Sequence, residues 1–268
     1  MIPLPPVWFV GCGQMAGALI AGWRKADVDF SEAVVIRPSG VQVDGIRTVS
    51  AIPNETSPLR CVLGFKPQSL NSVAPELAPR LSSTTVLVSM LAGVEVDTLR
   101  ALFPAVQAIV RIMPNLPVSE RRGVTALFSK DAEAGLQQRM TGLFGLLGRT
   151  HWARDEAEFA AIGALAGAGP AYVARFIAAL AKAGEARGLA PGLAQAIALE
   201  TVAGTALMAE ARGETMDEVA RRVASPKGTT EAGLAVLDAD GALDRLVADT
   251  IAAAAERGRQ LAEEARQG

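Results

Sequence analysis

Short apolar runs alternate with helical segments from residue 1 to about residue 110. The apolar runs do not alternate with polar positions, which is typical of strands buried on both faces of a sheet. The predicted strands are Val7–Val10, Ala33–Ile36, Cys61–Phe65, Val86–Ser89 and Ala108–Arg111. The predicted intervening helices are Gly17–Lys25, Gln68–Leu81 and Val96–Phe103. This order of strands and helices predicts an α/β fold with a parallel, doubly wound sheet.

The pattern continues with one more pair of strands and then changes. Gly123–Phe128 and Thr150–Ala153 are predicted strands that flank a helix over Ala132–Leu147. After about Glu156, strand-like runs disappear and Ala-rich helical stretches follow. We therefore predict an α/β domain over residues 1–155 and an all-α domain over residues 156–268.

Two predicted helices of the second half carry few charges. Ala171–Arg187 has three charged residues before its last position, and Gly192–Ala209 has only Glu200. Helices that are apolar on nearly all sides must be buried, and a domain of roughly a hundred residues has little interior for two of them. We therefore predict an obligate homodimer whose subunit contact is formed by the helical half. Assembly of such dimers into a higher oligomer is compatible with this prediction. One buried hairpin inside a monomer is the alternative. The last helix, Ala242 to about Arg266, is predicted to be amphipathic and surface-facing.

A glycine-rich turn separates the first predicted strand from the first helix. Gly11, Gly13 and Ala16 have the G-x-G-x-x-G/A spacing of a dinucleotide-binding turn. Gly11 permits the tight turn, Gly13 lets the backbone approach a pyrophosphate, and Ala16 lets the helix lie close to the strand. Free N–H groups at the helix start, together with the helix dipole, favour a phosphate. The turn predicts a dinucleotide site, with a purely structural turn as the alternative.

Residues that follow the other strands lie at the same edge of the sheet, where open α/β sheets bind ligands. Arg37 follows the second strand at the position that meets the adenosine ribose, and no acidic residue follows until Asp44. An arginine there favours the 2′-phosphate of NADP over the free hydroxyl of NAD. Lys66 ends the third strand, with an ordinary solvated lysine as the alternative. The next two strands end in Ser89–Gly93 and Met113–Asn115. These segments are predicted to form a wall of the nicotinamide pocket.

The segment Ser225–Glu231 is a predicted break between two helices, and Thr229 or Thr230 is predicted to cap the second one. Free N–H groups and two hydroxyls at this helix start suit a small carboxylate. An ordinary capped helix start is the alternative. The single histidine, His151, has no accompanying acid or serine pattern, so we assign it a structural or solvent-facing position.

Composition narrows the function classes. The 268 residues carry a net charge of −2, which gives no electrostatic footprint for nucleic acid or an anionic membrane. Cys12 and Cys61 form no disulfide framework and no metal-ligand set, and this composition fits a reducing cytoplasm. No basic region precedes an apolar segment at the N-terminus, and no uninterrupted apolar run reaches the ~20 residues of a membrane span. We expect a cytoplasmic protein with small-molecule ligands and without metal, membrane or nucleic-acid partners.

The motifs, in their order along the chain, resemble those of pyrroline-5-carboxylate reductases. The matching stretches are Gly11 to Ala16, Phe65 to Gln68, Ser89 to Val94, Arg111 to Pro117, Gly167 to Tyr172 and Ser225 to Thr230. This resemblance covers nearly the whole chain. It implies an N-terminal Rossmann domain followed by an all-α C-terminal dimerisation domain. It also implies reduction of L-1-pyrroline-5-carboxylate to L-proline with NADPH or NADH, the step that completes proline synthesis.

The resemblance, with the strand-end positions, also assigns site residues. Those expected to line the cofactor are Val10, Gly11, Cys12, Gly13, Gln14, Met15, Arg37, Ser39, Asn54, Gly64, Phe65, Lys66, Pro67, Ser89, Met90, Leu91 and Asn115. Those expected to face the substrate are Glu156, Ser225, Gly228, Thr229 and Thr230. Among them, Thr230 is the expected catalytic residue, which hydrogen-bonds to the ring nitrogen.

The chain departs from the family pattern at four positions. Lys227 stands where glycine is usual, Ala166 and Ala168 replace serines, and Ala178 stands where many members carry a glutamate. If the backbone at Lys227 needs a positive φ, lysine costs about 1 kcal/mol there. Two alternatives stay open: a relative that acts on another cyclic imine, and a non-catalytic relative that only binds the cofactor. A β-hydroxyacid dehydrogenase is a further alternative that ranks well below the reductase, because Gly169–Lys182 offers Arg175 and a late Lys182 but no asparagine.

Overall fold

The computed structural model describes residues 1–43, 45–54 and 57–267, with side chains as far as residue 264. The chain forms two compact units, one from Met1–Ala168 with Ala253–Gly268 and one from Gly169–Ala252. The predicted domain boundary between residues 155 and 156 falls inside the first unit and stays a prediction. The last helix begins in the second unit and ends in the first.

The first unit is built on a twisted sheet whose strands alternate with helices. Its strands are β1 (Ile2–Pro3), β2 (Val7–Val10), β3 (Val28–Asp29), β4 (Ala33–Ile36), β5 (Arg47–Val49), β6 (Arg60–Leu63), β7 (Val86–Ser89), β8 (Ala108–Pro114), β9 (Gly123–Phe128) and β10 (Gly148–Trp152). Its complete helices are α1 (Gln14–Lys25), α2 (Leu70–Leu77), α3 (Val96–Leu102), α4 (Ala134–Gly145) and α5 (Glu156–Ile162), and a π-helical turn, Gly163–Gly167, follows α5.

The order of strands in the main sheet is β10-β9-β8-β7-β6-β2-β4-β5, and β1 pairs with β3 separately. Every neighbouring pair of the main sheet is parallel except β8 and β9, which are antiparallel. The strands for which a parallel sheet is predicted are all parallel, and the antiparallel pair is formed with β9, which lies beyond them. The reason for this pairing is the short connection: a 3-10 turn over Leu116–Glu120 joins β8 to β9, whereas a parallel pair needs a crossover of a dozen or more residues.

Two apolar cores cover the two faces of the sheet. One contains Leu19 and Trp23 of α1 with Met140 and Phe144 of α4. The other contains residues of α2, α3 and α5, among them Leu77, Leu99 and Phe159. Every residue of β2, β4 and β7 is buried, as expected for strands covered by helices on both sides. The α/β fold class predicted from the sequence is confirmed.

The predicted helix over Gln68–Leu81 is divided. A 3-10 turn over Pro67–Ser69 precedes α2, and another over Ala78–Arg80 follows it. Pro75 lies inside α2 and Pro79 inside the second turn. Each proline removes a backbone N–H donor, so a regular α-helical ladder cannot continue through both positions.

The second unit is helical. It contains α6 (Gly169–Glu185), α7 (Pro191–Arg212), α8 (Met216–Val223), α9 (Thr229–Asp238) and the beginning of α10 (Ala242–Gln267). α6 and α7 pack against each other through Ala181, Ala194 and Ala198, whose small side chains permit a close approach. Most of the remaining surface of these two helices is open in the single chain, including Phe176, which is 46% exposed.

Two helical stretches, Glu156–Glu185 and Pro191–Arg212, are long and apolar enough to cross a membrane by length and composition alone. Only 6% and 17% of their most apolar windows are buried within the chain. Neither stretch contains an uninterrupted apolar run of ~20 residues, the pattern that the sequence prediction required. Helices buried in the core of a soluble protein or in a subunit contact have the same length and composition.

The close packing of α1 on the segment before β9 gives a stability prediction. A Cβ at Gly22 would overlap the carbonyl oxygen of Val118 and lie 2.7 Å from a methyl carbon of Leu147, whereas a Cβ at Gly17 in the same helix would meet no atom within 4 Å. We expect Gly22→Ala to destabilise the fold by about 1–3 kcal/mol through overpacking. The matched Gly17→Ala variant should gain up to about 1 kcal/mol from helix propensity. Chemical denaturation measures both, and equal midpoints would contradict the packing described.

Candidate active site

The sheet of the first unit has a topological switch point between β2 and β6. From β2 the chain proceeds through β4 to β5 on one side, and from β6 through β7 to β8 on the other. Ligands of open α/β sheets bind at the carboxyl ends of the strands at such a point. The turn that follows β2 and the loop that follows β6 flank it, and both were predicted from the sequence.

The two loops touch through their glycines. Gly11 has φ +80°, and a Cβ there would lie 2.8 Å from the backbone nitrogen of Phe65. A Cβ at Gly64 would lie 2.9 Å from the Gly11 carbonyl oxygen and 3.3 Å from Cβ of Ala16. Any residue larger than glycine at either position would force the strand ends apart. The turn predicted at Gly11 and the close helix packing predicted at Ala16 are both present.

Gly13 differs from Gly11 because no protein atoms lie where its side chain would be. It is the N-cap of α1, it makes no side-chain cap, and a Cβ built on it meets no atom within 4 Å. The first turn of α1 contains no acidic residue. The N–H groups of the first helical residues therefore point to an uncovered surface of positive potential, which suits a phosphate.

Two arginines add positive charge near this turn. Burial raises the pKa of the Cys12 thiol, and the charges of Arg37 and Arg24 act in the opposite direction. Arg37 follows β4, as the sequence predicted, and its carbonyl oxygen accepts the N–H of Gly40 in a tight turn. Ser39 lies exposed in that turn. Asp44, the nearest following acid, lies outside the described residues.

The remaining predicted cofactor residues lie at the same edge with different exposures. Lys66 is exposed at the start of the 3-10 turn after β6, and Asn54 lies in an exposed bend. The Ser89 hydroxyl is buried and accepts the N–H of Leu91 at 3.3 Å. The side chains of Val10 and Leu91 belong to the apolar core, so these two residues have only backbone groups to offer a ligand.

Asn115 and Glu156 make defined contacts within the chain. Asn115 Nδ2 donates to the carbonyl oxygen of Ala166 at 3.1 Å, and its Oδ1 accepts the N–H of Val124 at 2.8 Å. Glu156 Oε1 accepts the N–H of Val96 at 3.2 Å, and Glu156 Oε2 accepts from Nη1 of Arg111. These contacts give both side chains a structural role, and their assignments to cofactor and substrate stay predictions.

A cavity of about 470 Å³ adjoins the loops after β6 and β7. Its lining residues are Pro67, Gln68, Leu70, Asn71, Ala92, Val94, Thr98, Leu261 and Glu264. The end of α10 covers it, and the backbone of Leu261 lies so close to Gly93 that a Cβ there would be 2.7 Å away. The loop and the amphipathic helix are each predictable from the sequence, but no sequence pattern indicates their contact.

The second unit contains the predicted substrate loop. Gly228, in extended conformation, is the N-cap of α9, and Thr229 and Thr230 are its first helical residues. The prediction that one of these threonines caps the helix is therefore wrong. A Cβ at Gly228 would lie 2.9 Å from the carbonyl oxygen of Ser225 and would displace the Ser225 hydroxyl, so glycine suits this compact turn. Lys227 adopts φ +57° and its N–H donates to Oε2 of Glu231 at 2.6 Å, which confirms the positive φ considered for this departure.

The contrast between Gly11 and Gly13 gives a test of the dinucleotide site, with NADPH as the probe. We expect Gly13→Ala to leave the melting temperature near that of the parent protein, because the new methyl group meets no protein atom. The same methyl group would hold a pyrophosphate away from the backbone and weaken NADPH binding about tenfold or more. Fluorescence titration and thermal denaturation measure the two quantities. Unchanged NADPH affinity would refute the assignment of Gly13.

Comparisons with known proteins agree with the geometry of both units. Residues 156–261 match the family model described as pyrroline-5-carboxylate reductase dimerisation. The chain is 33% identical to the pyrroline-5-carboxylate reductase of Pseudomonas aeruginosa, with 97% of this chain and 98% of that protein covered. It is also 33% identical to the reductase of Pisum sativum, with 94% of each chain covered.

Solved structures give the same result. The pyrroline carboxylate reductase of Plasmodium falciparum, solved with NADP bound, is 25% identical, covers 98% of this chain and all of its own, and superposes with a TM-score of 0.85. The pyrroline-5-carboxylate reductase of Coxiella burnetii is 28% identical over 96% of this chain and 98% of its own, also with a TM-score of 0.85. The resemblance seen in the sequence motifs is confirmed, and the chain belongs to the pyrroline-5-carboxylate reductase family.

Proposed function

We propose that this chain reduces L-1-pyrroline-5-carboxylate to L-proline, the last step of proline biosynthesis, with NADPH as hydride donor and NADH as the alternative donor. The observation that carries the proposal is the similarity to the Pseudomonas aeruginosa reductase over 97% of the chain, because it includes both the glycine turn and the substrate loop. A steady-state assay with this imine and each donor tests it. Failure of the imine to oxidise either donor would rule the activity out.

The glycine turn fits the pyrophosphate of a dinucleotide. The open face of Gly13, the free N–H groups at the start of α1 and the nearby charge of Arg37 together favour a doubly charged diphosphate. Residues of the loops after β6 and β7, including Lys66 and Met90, would contact the rest of the cofactor. When bound, the reduced nicotinamide supplies the hydride.

The residues of the substrate loop would orient the imine. Hydride addition neutralises an iminium ion, so the protein needs mainly to position the reacting carbon and not to stabilise new charge there. The N–H groups of Thr229 and Thr230 begin α9 and lack intrahelical acceptors, so they suit the substrate carboxylate. The Thr230 hydroxyl would hydrogen-bond to the ring nitrogen, and Ser225 and Gly228 would shape the turn.

Apolar surface on the second unit supports a homodimer. Val173, Phe176, Leu193 and Ile197 are each about half exposed in the single chain, and they lie on the two helices with few charges. Several exposed large apolar side chains on two neighbouring helices are typical of a subunit contact. The dimerisation family model covers the same helices, so a second copy of the chain is the occupant we propose. Cytoplasmic localisation and assembly of dimers into a higher oligomer are proposed from the sequence alone.

The role of Thr230 can be tested with three variants. We expect Thr230→Val and Thr230→Ala to lower kcat/KM for the imine about tenfold or more, because a hydrogen bond to the reacting ring is lost. Thr230→Ser keeps the hydroxyl and should retain most activity. NADPH affinity should change far less than turnover in all three. Turnover equal to that of the parent protein in Thr230→Val would contradict the assignment.

The role of Arg37 predicts a cofactor-specific effect. Arg37→Gln removes the cation placed for a 2′-phosphate, so we expect NADPH affinity to fall about tenfold while NADH affinity is unchanged. Arg149→Gln, on the exposed edge strand β10, serves as the matched control and should change neither. Dissociation constants for both nucleotides provide the measurement. Equal losses for both nucleotides would show that Arg37 does not read the 2′-phosphate.

A further inference from the structure

A buried arginine lies one strand away from the loop that follows β7. Arg111 is on β8, where it is the register partner of Ser89 on β7. Its side chain is 7% exposed. Burial lowers the pKa of its guanidinium, and the neighbouring Glu156 carboxylate partly offsets that effect. A charge this deeply buried is costly unless it is paired, so its partners indicate why it is there.

The partners of Arg111 lie on the first turn of α5. Nη1 donates to Oε2 of Glu156, and the guanidinium carbon lies 4.5 Å from the centre of the Phe159 ring. One charged hydrogen bond and one cation–π contact therefore fix a single side chain against two residues one turn apart. Arg111 joins the middle of β8 to the start of α5.

The second oxygen of Glu156 extends the connection. Oε1 accepts the N–H of Val96, the first residue of α3, at 3.2 Å. The N-cap residue Glu95 makes no side-chain cap of its own, so Glu156 supplies the acceptor that this helix start lacks. The side chain of Val96 is itself buried. The loop between β7 and α3 is thus held at one end by the strand and at the other by Glu156.

We infer that Arg111 is a positioning residue that acts through Glu156 on the loop between β7 and α3. The inference rests on the proposed function, because Ser89, Met90 and Leu91 of that loop are the residues we assign to the cofactor. In this role Arg111 itself contacts neither the cofactor nor the substrate. Direct contact between Glu156 and the substrate is the competing role, and the two roles predict different kinetic constants.

The experiment compares four variants with one control. The variants are Arg111→Met, Arg111→Lys, Glu156→Gln and the double variant Arg111→Met/Glu156→Gln. The control is Lys130→Gln, which removes an exposed ion pair with Asp97 on the first turn of the same α3. For each protein, the NADPH dissociation constant, kcat, KM for pyrroline-5-carboxylate and the melting temperature are measured.

We expect Arg111→Met and Glu156→Gln each to weaken NADPH binding and to lower kcat about tenfold, with a smaller change in KM for the imine. The double variant should lose no more NADPH affinity and kcat than the more impaired of the two single variants, because both changes remove the same connection. Arg111→Lys keeps the charge without the planar fork and should recover part of the loss. Lys130→Gln should match the parent protein in all kinetic and binding constants.

Two results would overturn the inference. In the first, Glu156→Gln raises KM for the imine without changing NADPH affinity, and Arg111→Met changes neither kcat nor NADPH affinity. This result would make Glu156 a substrate ligand. The other is fully additive losses in the double variant. If Arg111→Met does not fold, Glu156→Gln and Arg111→Lys decide by the same NADPH criterion. If the parent protein binds NADPH without reducing the imine, the proposed function fails, while the NADPH constants still test the role of Arg111.

Discussion

The contact between Gly11 and Gly64 sets the geometry of the first unit's ligand edge. The two backbones approach so closely that a single Cβ on either residue would lie within 3 Å of the other loop. That approach keeps the ends of β2 and β6 at the spacing of hydrogen-bonded strands, and it lets Ala16 bring α1 down onto the switch point. The uncovered N–H groups of α1 lie over the edge of the sheet because these glycines allow it. The positive potential at the start of α1 therefore depends on the close approach that the absence of side chains at Gly11 and Gly64 permits.

Much of the first unit could be predicted from the order of apolar runs. The bounds of β2, β4, β7 and β9 coincide with the predicted ones, because strands buried on both faces consist mainly of apolar residues. The short strands β1, β3 and β5 were missed. These strands have only two or three residues, too few to form a recognisable apolar run. Whether they pair depends on neighbouring strands that are distant in sequence. The divided helix around Pro75 and Pro79 was within reach of sequence reasoning, because proline has a known effect on the helical ladder.

The site was predictable where its chemistry is local. The spacing of Gly11 and Gly13 and the position of Arg37 after a strand can be read from adjacent residues. Glu156 lies 45 residues from Arg111, and Ala166 lies 51 residues from Asn115, so one sequence gives no means of pairing them. A charged residue within the apolar run of β8 was nevertheless a signal that something must neutralise it. The helix cap assigned to Thr229 or Thr230 was wrong because α9 begins earlier than a threonine cap requires. The turn in which the Gly228 N–H donates to the Ser225 carbonyl oxygen leads directly into the helix, so Gly228 is its N-cap.

The connectivity of the two units has a consequence for how such a protein can change. The second unit is inserted into the first, since the chain leaves at Ala168 and returns at Ala253. The returning segment is part of the first unit's packing, as the contact of Leu261 with Gly93 shows. Exchange of the helical unit between relatives therefore requires two crossover points, one on each side of the insertion. With a single crossover before the helical unit, the end of α10 that lines the cavity beside β7 would also come from the other relative. Recombination between family members is constrained to paired events at these two junctions.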